Sequence, residues 1–301
     1  MASKPTRILA LDGGGIRGVF TAAFLTHVEE HLKLRLVEHV ELLTGTSTGA
    51  IIALALASGL PASQVLDSYK AAGPLIFGKK RNRLLSLFTT AHGNEALKEW
   101  LRRTFEDKIL NDARVPIAIP SFDASTGRPR VWKRDHHQEL HGGGLKKMWE
   151  VALTSAAAPT YLPAAQIEGL GAFLDGGLWA NNPSLVGLVE ARRYLESELA
   201  DMQLLSVGTG RQPKGFRFQD IEFRGQLAWA RPLFELLLTA QSVSTHEQAQ
   251  LLLGPGQYLR VDQELPHPIE LDDVREISQL EHLGREAGMR HLQEVKRLLR
   301  V

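Results

Sequence analysis

The chain has 301 residues, a length that accommodates one large α/β domain or two modest ones. Its 35 Lys and Arg residues balance 34 Asp and Glu residues, so a formal net charge of +1 excludes a global positive field, and we expect no DNA or RNA polymer as a partner. The absence of cysteine excludes disulfides, thiolate metal sites and a cysteine nucleophile.

The first sixty residues contain a strand–loop–helix pattern twice. Residues 7–12 form a short apolar run that ends in glycines, and residues 19–34 carry apolar side chains at helical spacing. A second apolar run at 40–44 is followed by a helix of small residues at 50–57. Two such units in succession predict a parallel sheet covered by helices.

The rest of the chain continues this alternation and then becomes mainly helical. Further helices are predicted at 61–73, 95–105, 146–157, 184–194, 221–253 and 272–299, and further strands at 115–122, 130–133, 172–175, 203–207 and 258–261. The pattern predicts a three-layer α/β/α fold with a mostly parallel central sheet, in a single domain over residues 1–301. We expect a catalytic core at about 7–210 and a helical C-terminal part at about 211–301.

Ser47 lies in the sequence Gly45-Thr46-Ser47-Thr48-Gly49, a G-x-S-x-G motif between a predicted strand and a predicted helix. In that setting a sharp turn exposes the serine hydroxyl, the two glycines relieve backbone crowding, and the helix N-terminus favours a developing oxyanion. The motif alone is weak, because a chain of this glycine content contains one by chance in roughly one case in ten. Its place between a strand and a helix makes Ser47 a candidate nucleophile.

A second glycine-rich sequence, residues 13–18, follows the first predicted strand. Gly13, Gly14 and Gly15 allow backbone N–H groups to converge on one point, as the oxyanion of an acyl transfer requires. The same residues also fit G-x-G-x-x-G, the dinucleotide-binding fingerprint. That alternative requires an acidic residue at the end of a second strand about 20 positions later, where this chain has no clear match. It remains the lesser alternative.

The third motif, Asp175-Gly176-Gly177, ends a short apolar strand. A carboxylate in this position would take the serine proton directly if burial raised its pKa towards neutral pH. An Asp-Gly pair is also a common turn, so this motif alone does not distinguish a base from a loop.

A Ser–His–Asp triad is the main alternative within acyl transfer, and in α/β-hydrolases its histidine comes last in the chain. None of the late histidines follows a strand in a short loop, as that role requires. These are His246, His267, His282 and His291. Three earlier histidines, His136, His137 and His141, lie in a polar connection that we interpret as an exposed loop and not as a metal site.

Together and in this order, the three motifs resemble those of the patatin-like phospholipases, whose pattern is G-G-G-x-R/K-G, then G-x-S-x-G, then D-G-G/A. The sequence SAAAP at 155–159 and the pair Asn182-Pro183 add further matches. The resemblance covers about residues 7–210. It implies hydrolysis of fatty-acyl esters through an acyl-enzyme, by a Ser–Asp dyad without histidine and without a metal or other cofactor.

The resemblance also assigns roles to individual residues. It implies that Ser47 is the nucleophile and that Asp175 accepts its proton. The oxyanion hole would lie in the loop of residues 13–15, with the N–H groups of Gly14 and Gly15 as donors and Arg17 as a support for the loop.

Residues 19–59 and 73–77 resemble in particular the bacterial patatin-like effectors of anti-phage signalling, which cyclic oligonucleotides activate and which degrade membrane phospholipid. This implies a cyclic dinucleotide activator and a phospholipid membrane surface as substrate, and it is compatible with a homo-oligomer. We expect the nucleotide near the basic segment 79–83 or after Arg211, since Lys and Arg bind phosphate. Residues 1–7 lack a signal-peptide core, so we expect a cytoplasmic protein acting at the inner membrane surface.

Overall fold

The computed structural model describes residues 5–78, 90–212 and 226–301, with side chains for all of these except 226–232. The strands are β1 Thr6–Leu11, β2 Leu42–Gly45, β3 Ile117–Asp123, β4 Arg128–Lys133, β5 Ala165–Ile167, β6 Gly171–Asp175, β7 Met202–Val207 and β8 Tyr258–Val261. The helices are α1 Gly18–Leu32, α2 Thr48–Ala57, α3 Ala62–Phe77, α4 Glu95–Phe105, α5 Met148–Ser155, α6 Gly177–Ala180, α7 Ser184–Tyr194, α8 Gln226–Leu252 and α9 Ile277–Leu299.

The strands form one sheet in the order β5-β6-β3-β2-β1-β7-β8, with β4 paired to β3 outside this path. Neighbours from β3 through β2, β1 and β7 to β8 are parallel. Strands β4, β5 and β6 pair antiparallel at the other side of the sheet. The sheet is therefore mostly parallel, as the sequence predicted.

Strand β1 shows how the helices cover both faces of the sheet. Leu9 and Leu11 belong to the larger core, which also contains side chains of α1, α2, α3 and α9. Ile8 and Ala10 belong to a smaller core on the other face, with side chains of α7 and α8. Burial on both faces explains the uninterrupted apolar run of this strand, and the predicted three-layer arrangement is confirmed.

The C-terminal part contributes more than helices. Strand β8 pairs with β7 and extends the sheet, and helix α9 packs along α1. Two glycines of α9 allow a close approach, because a Cβ at Gly284 would lie 2.3 Å from the carbonyl oxygen of Phe20, and one at Gly288 would lie 2.7 Å from the Cβ of His27. Contacts this close leave no room for a side chain at either position.

Three differences from the predicted elements have physical reasons. Helix α3 continues through Pro74 to Phe77, because Ile76 and Phe77 line a buried cavity whose packing compensates for the missing N–H. Helix α9 begins at Ile277 and not at 272, since Asp272 is buried and paired with His92 at 3.0 Å. The elements β5 and α6 are too short to produce a periodic pattern.

Within the described ranges, no helix combines the length and the apolar character that crossing a membrane requires. The predicted basic segment 79–83 lies outside the described residues, as does the beginning of the helix predicted at 221–253.

We expect Gly284→Ala to lower the free energy of unfolding by about 1–2 kcal/mol, because the added methyl group meets the backbone of α1 even though alanine favours a helix. Met289→Ala, at a position of the same helix that is 69% exposed, is the control and should change stability by less than about 0.5 kcal/mol. Urea denaturation followed by circular dichroism measures both. A Gly284→Ala protein as stable as the wild type would contradict the close contact of the helices.

Candidate active site

Ser47 lies at the turn between β2 and α2 in a backbone conformation that is rare for a residue with a side chain. Its φ is 54° and its ψ is −120°, as expected for a strained nucleophile elbow. The Ser47 N–H donates to Ser155 Oγ at 3.0 Å, and Ser155 Oγ donates to the Pro120 carbonyl at 2.6 Å. Ser155 belongs to the SAAAP sequence, and its hydroxyl thus ties the elbow to β3.

The two glycines of the elbow are required by close backbone contacts. A Cβ at Gly45 would lie 2.2 Å from the carbonyl oxygen of Gly49. A Cβ at Gly49 would lie 2.2 Å from the carbonyl oxygen of Leu11, at the end of β1. Helix α2 therefore begins directly against the sheet, with its N-terminus at Ser47.

Strand β3 brings Asp175 to the elbow. Strand β4 occupies one edge of β3, so β2 and β6 must share the other edge, β2 along its beginning and β6 along its end. Thr44 is paired with Ala118, three positions before Ser121 on β3, and β2 ends one residue later, at the turn that contains Ser47. Ser121 is the partner of Asp175, the last residue of β6. Ser47 and the Asp175 carboxylate thus reach the same point from opposite directions.

The Asp175 carboxyl is 2% exposed, and this burial raises its pKa to about 7. Hydrogen bonds from the Ser47 hydroxyl and from the Gly177 N–H, which lies 2.7 Å from Oδ1, lower the pKa to a smaller extent. Position 176 requires a glycine, because a Cβ there would lie 2.4 Å from the carbonyl oxygen of Pro120. A carboxylate with a pKa near 7 is suited to accept a proton at physiological pH.

The glycine-rich loop faces the same site. The Gly13 N–H donates to the carbonyl oxygen of Asn181 at 3.0 Å. Among the described residues, the N–H groups of Gly14 and Gly15 have no acceptor, and both glycines line the cavity that contains Ser47. These two N–H groups are the arrangement that an oxyanion hole requires.

The shape of this loop is set by its neighbours. Gly15 has a φ of +57°, and a Cβ there would lie 2.3 Å from the carbonyl oxygen of Leu271. That carbonyl accepts the N–H of Ile16 at 2.8 Å. Arg17 is buried, and its Nε lies 3.4 Å from the carbonyl oxygen of Gly14, so the predicted supporting residue contacts the loop.

Sequence reasoning missed a second cation at this loop. Arg260, on β8, donates to both carboxyl oxygens of Asp12 at 2.8 and 2.6 Å, and also to Asp262 and Ser206. Burial raises the pKa of Asp12, and the attraction of Arg260 opposes that rise. Because Asp12 immediately precedes Gly13, this buried pair holds the beginning of the loop. No sequence pattern connects residues so far apart.

Ser47, Asp175, Gly14 and Gly15 line one cavity. The remaining walls are mostly apolar and come from α2, α3, α4, α8 and the segments after α5 and β8. They include Ile51, Tyr69, Ile76, Phe77, Leu97, Trp100, Tyr161, Leu162, Phe234, Leu238 and Leu271. Such walls favour a long apolar substrate through the hydrophobic effect.

None of the described histidines lines this cavity. Of the four triad candidates, His246 hydrogen-bonds Tyr258 at 2.9 Å, His267 and His291 pair with glutamates, and His282 is exposed. The geometry therefore gives no support to a Ser–His–Asp triad.

The interpretation of the early histidine cluster as an exposed loop is wrong for His136. Its ring is buried, packs edge-on against Tyr194 and lies 3.4 Å from Glu190, which also pairs with Lys133. His136 is buried because Glu190, on α7, lies against the segment that contains the histidine cluster. In the part of the chain that the structure describes, no group of three or more ligands could hold a metal ion.

The fold and the site together define a serine ester hydrolase. The patatin-like phospholipase family model matches residues 9–186, and the chain belongs to that family. The resemblance inferred from the three motifs is thus confirmed.

Individual relatives cover most of the chain. It is 34% identical to a cGAMP-activated phospholipase of Pseudomonas aeruginosa, over 93% of this chain and 85% of the relative. It is 31% identical to a cGAMP-activated phospholipase of Vibrio cholerae, over 88% of this chain and 84% of the relative. A cUMP-AMP-activated phospholipase of Escherichia coli is 31% identical, over 69% of this chain and 66% of the relative.

Among solved structures, VipD from Legionella pneumophila superimposes with a TM-score of 0.51 over 97% of this chain and 67% of that chain. The sequences are 11% identical, so this likeness concerns the fold alone.

We expect Arg260→Lys to lower kcat for ester hydrolysis at least about tenfold with less than a twofold change in KM, because one ammonium group cannot bridge Asp12 as the guanidinium does. Arg275→Lys is the matched control, since Arg275 pairs with Asp273 in the same way but is 84% exposed. Steady-state kinetics with p-nitrophenyl esters measures both. Unchanged kcat in Arg260→Lys would contradict a role in positioning the loop.

The pKa of Asp175 also predicts a stability effect. Because its pKa is about 7 when folded and 3.8 is the ordinary value, the folded state holds the proton more tightly, and the carboxyl costs stability as pH rises through this window. We expect the gain in unfolding free energy of Asp175→Asn over wild type to be larger at pH 8 than at pH 4 by up to ~4 kcal/mol, since one pKa unit corresponds to about 1.4 kcal/mol. Asp67→Asn, at an exposed position, is the control in the same denaturation experiments. A gain that does not grow with pH would contradict the raised pKa.

Proposed function

We propose that this protein is a phospholipase of the A type, which cleaves fatty-acyl esters of membrane phospholipids with Ser47 as nucleophile and Asp175 as proton acceptor. The observation that carries the proposal is that Ser47, Asp175 and the N–H groups of Gly14 and Gly15 meet at one largely apolar cavity. The names of the relatives, which are phospholipases, support the same substrate class.

The geometry supports the following acylation step. Asp175, unprotonated above about pH 7, removes the proton of the Ser47 hydroxyl as Oγ attacks the ester carbonyl. The oxyanion that forms accepts hydrogen bonds from Gly14 and Gly15, and the N-terminus of α2 adds a favourable field. Collapse of the tetrahedral intermediate releases the lysophospholipid with the proton that Asp175 holds, and the fatty-acyl group stays on Ser47.

Deacylation repeats these steps with water as the nucleophile. Asp175 takes a proton from the water, which attacks the acyl carbonyl, and the bond to Ser47 Oγ breaks. Asp175 returns the proton to Ser47, and the fatty acid leaves through the apolar cavity.

Exposed apolar side chains next to the cavity support action at a membrane surface. Leu75 is 74% exposed and precedes Ile76 of the cavity wall. On α8, Leu233 and Leu237 are 45% and 46% exposed beside the wall residue Phe234. Exposed leucines of this kind are typical of surfaces that contact lipid or another protein. The cytoplasmic face of the inner membrane is the surface that we propose.

A cyclic dinucleotide activator is part of the proposal. It rests on the relatives, which are named as cGAMP-activated and cUMP-AMP-activated phospholipases. The basic segment 79–83 and the residues immediately after 212, where we expected the nucleotide, lie outside the described residues.

We expect purified protein to release fatty acid from phosphatidylcholine or phosphatidylglycerol vesicles. Ser47→Ala should lower the rate at least about 10³-fold, because it removes the hydroxyl that is hydrogen-bonded to Asp175. Mass spectrometry of the lipids measures the release. A fluorophosphonate probe should label wild-type protein and not Ser47→Ala. Ser58→Ala, at the opposite end of α2 and outside the cavity lining, is the control and should behave as wild type.

The same assay tests the activator. Parallel reactions contain no nucleotide, cGAMP or cUMP-AMP, and we expect one cyclic dinucleotide to raise the rate at least about tenfold. Undiminished turnover in Ser47→Ala would overturn the proposed nucleophile, whereas equal rates with and without the nucleotides would overturn the activator alone.

A further inference from the structure

Asn181 carries a buried polar atom that the acylation and deacylation steps above do not use. The residue follows helix α6, is 6% exposed, and lines the same cavity as Ser47 and Asp175. Its Oδ1 has no hydrogen-bond partner among the described residues. A buried amide oxygen without a partner is destabilising, because it has lost its hydrogen bonds to water without a replacement. An atom kept in such a state beside a nucleophile calls for a functional explanation.

The orientation of the Asn181 amide is set by its own partners. Nδ2 donates to Ser242 Oγ at 2.8 Å and lies 3.5 Å from the carbonyl oxygen of Leu238, both on α8. Because a backbone carbonyl only accepts, Nδ2 must face α8 and Oδ1 must face the opposite way. The main-chain carbonyl of Asn181 accepts the N–H of Gly13, which holds the residue against the oxyanion loop.

Two glycines locate Asn181 Oδ1 relative to the reacting groups. A Cβ at Gly13 would lie 2.4 Å from this oxygen and 3.2 Å from Ser47 Cβ. A Cβ at Gly177 would lie 3.2 Å from the same oxygen and 3.0 Å from Asp175 Oδ1. Asn181 Oδ1 therefore borders the space between the nucleophile and the carboxylate, and a single water molecule is able to bridge the two acceptors.

We propose that Asn181 positions the water that hydrolyses the acyl-enzyme, with one O–H donated to Asn181 Oδ1 and the other to Asp175. This inference rests on the proposed function. A water that donates to two fixed acceptors has its lone pair directed away from both of them, towards the acyl carbonyl on Ser47. The water is thereby held in one orientation before it reacts.

In this step the water oxygen forms a bond to the acyl carbon while Asp175 takes the proton that it already accepts. The oxyanion is held by the N–H groups of Gly14 and Gly15. The bond between the acyl carbon and Ser47 Oγ then breaks, and Asp175 returns the proton to Oγ. The hydrogen bond to Asn181 is kept throughout, so this residue exchanges no proton.

Acylation does not require the same help. The Ser47 hydroxyl has a single proton, which Asp175 accepts, and its oxygen is placed by the elbow itself. Loss of Asn181 Oδ1 should therefore slow deacylation selectively. A role of Asn181 that was only structural would slow both steps or lower stability without changing their ratio.

The test uses the full-length protein with a p-nitrophenyl acyl ester, in the presence of the activating nucleotide if the wild type requires one. In Asn181→Ala we expect the burst of p-nitrophenol to keep its rate within about twofold, the steady-state rate to fall at least about tenfold, and the Ser47 acyl adduct to accumulate in intact-mass spectra. Asn182→Ala is the matched control, because Asn182 is an adjacent buried amide outside the cavity lining. It should lower thermal stability without an acyl adduct.

Competition with methanol gives a second readout. Methanol has one O–H, which it donates to Asp175, so it needs no acceptor at Asn181. In Asn181→Ala the ratio of methyl ester to free fatty acid should rise at least about tenfold over wild type, and in Asn182→Ala it should stay the same. An unchanged ratio in Asn181→Ala, or an equal fall of burst and steady-state rates, overturns the inference alone. A wild-type protein that neither labels with fluorophosphonate nor cleaves esters overturns the proposed function together with it.

Discussion

The geometry of the site depends on one edge of strand β3. Strands β2 and β6 pair with that edge one after the other, and they run in opposite directions. Strand β2 pairs with the beginning of that edge and β6 with its end, so the chain reaches Ser47 where β6 ends at Asp175. The register of a sheet is rigid, since a slip of one residue would move every side chain to the opposite face. The distance between the proposed nucleophile and its base is thus set by backbone pairing and not by flexible side chains. Ser155, which bonds the elbow, strengthens this arrangement.

Two buried carboxyls near this edge have opposite surroundings. Asp12 is paired with Arg260 at the beginning of the glycine-rich loop of residues 13–15. Burial raises the pKa of both carboxyls, but at Asp175 the rise is opposed only by hydrogen bonds from Ser47 and Gly177 and not by a cation. A paired carboxylate is a structural anchor, whereas an isolated one in an apolar setting becomes a base near neutral pH. Two aspartates therefore differ in role because the fold places different neighbours beside them.

Many elements were predictable because the central strands of the sheet are buried on both faces and helices such as α7 bury one stripe. The strand at residues 7–12 and the helix at 184–194 show these patterns clearly, and the structure agrees with them. The errors arose where tertiary contacts override local preference. Helix α3 passes through Pro74 because the turn after it is packed in the cavity wall, and His136 is buried because a carboxylate on another helix faces it. Neither contact has a local signal.

The sequence by itself determined the family, the three-layer class of fold and the three motifs that converge on Ser47, because glycines, a serine and an aspartate at strand ends have strong local constraints. Only the tertiary structure decided how the motifs meet and what supports them. The C-terminal part, predicted as a helical addition, provides Arg260, which holds the glycine-rich loop through Asp12, and the groups of α8 that orient Asn181. These contacts join residues separated by more than fifty positions, and such pairs leave no periodic trace in a single sequence. They depend on the folded sheet and its packed helices.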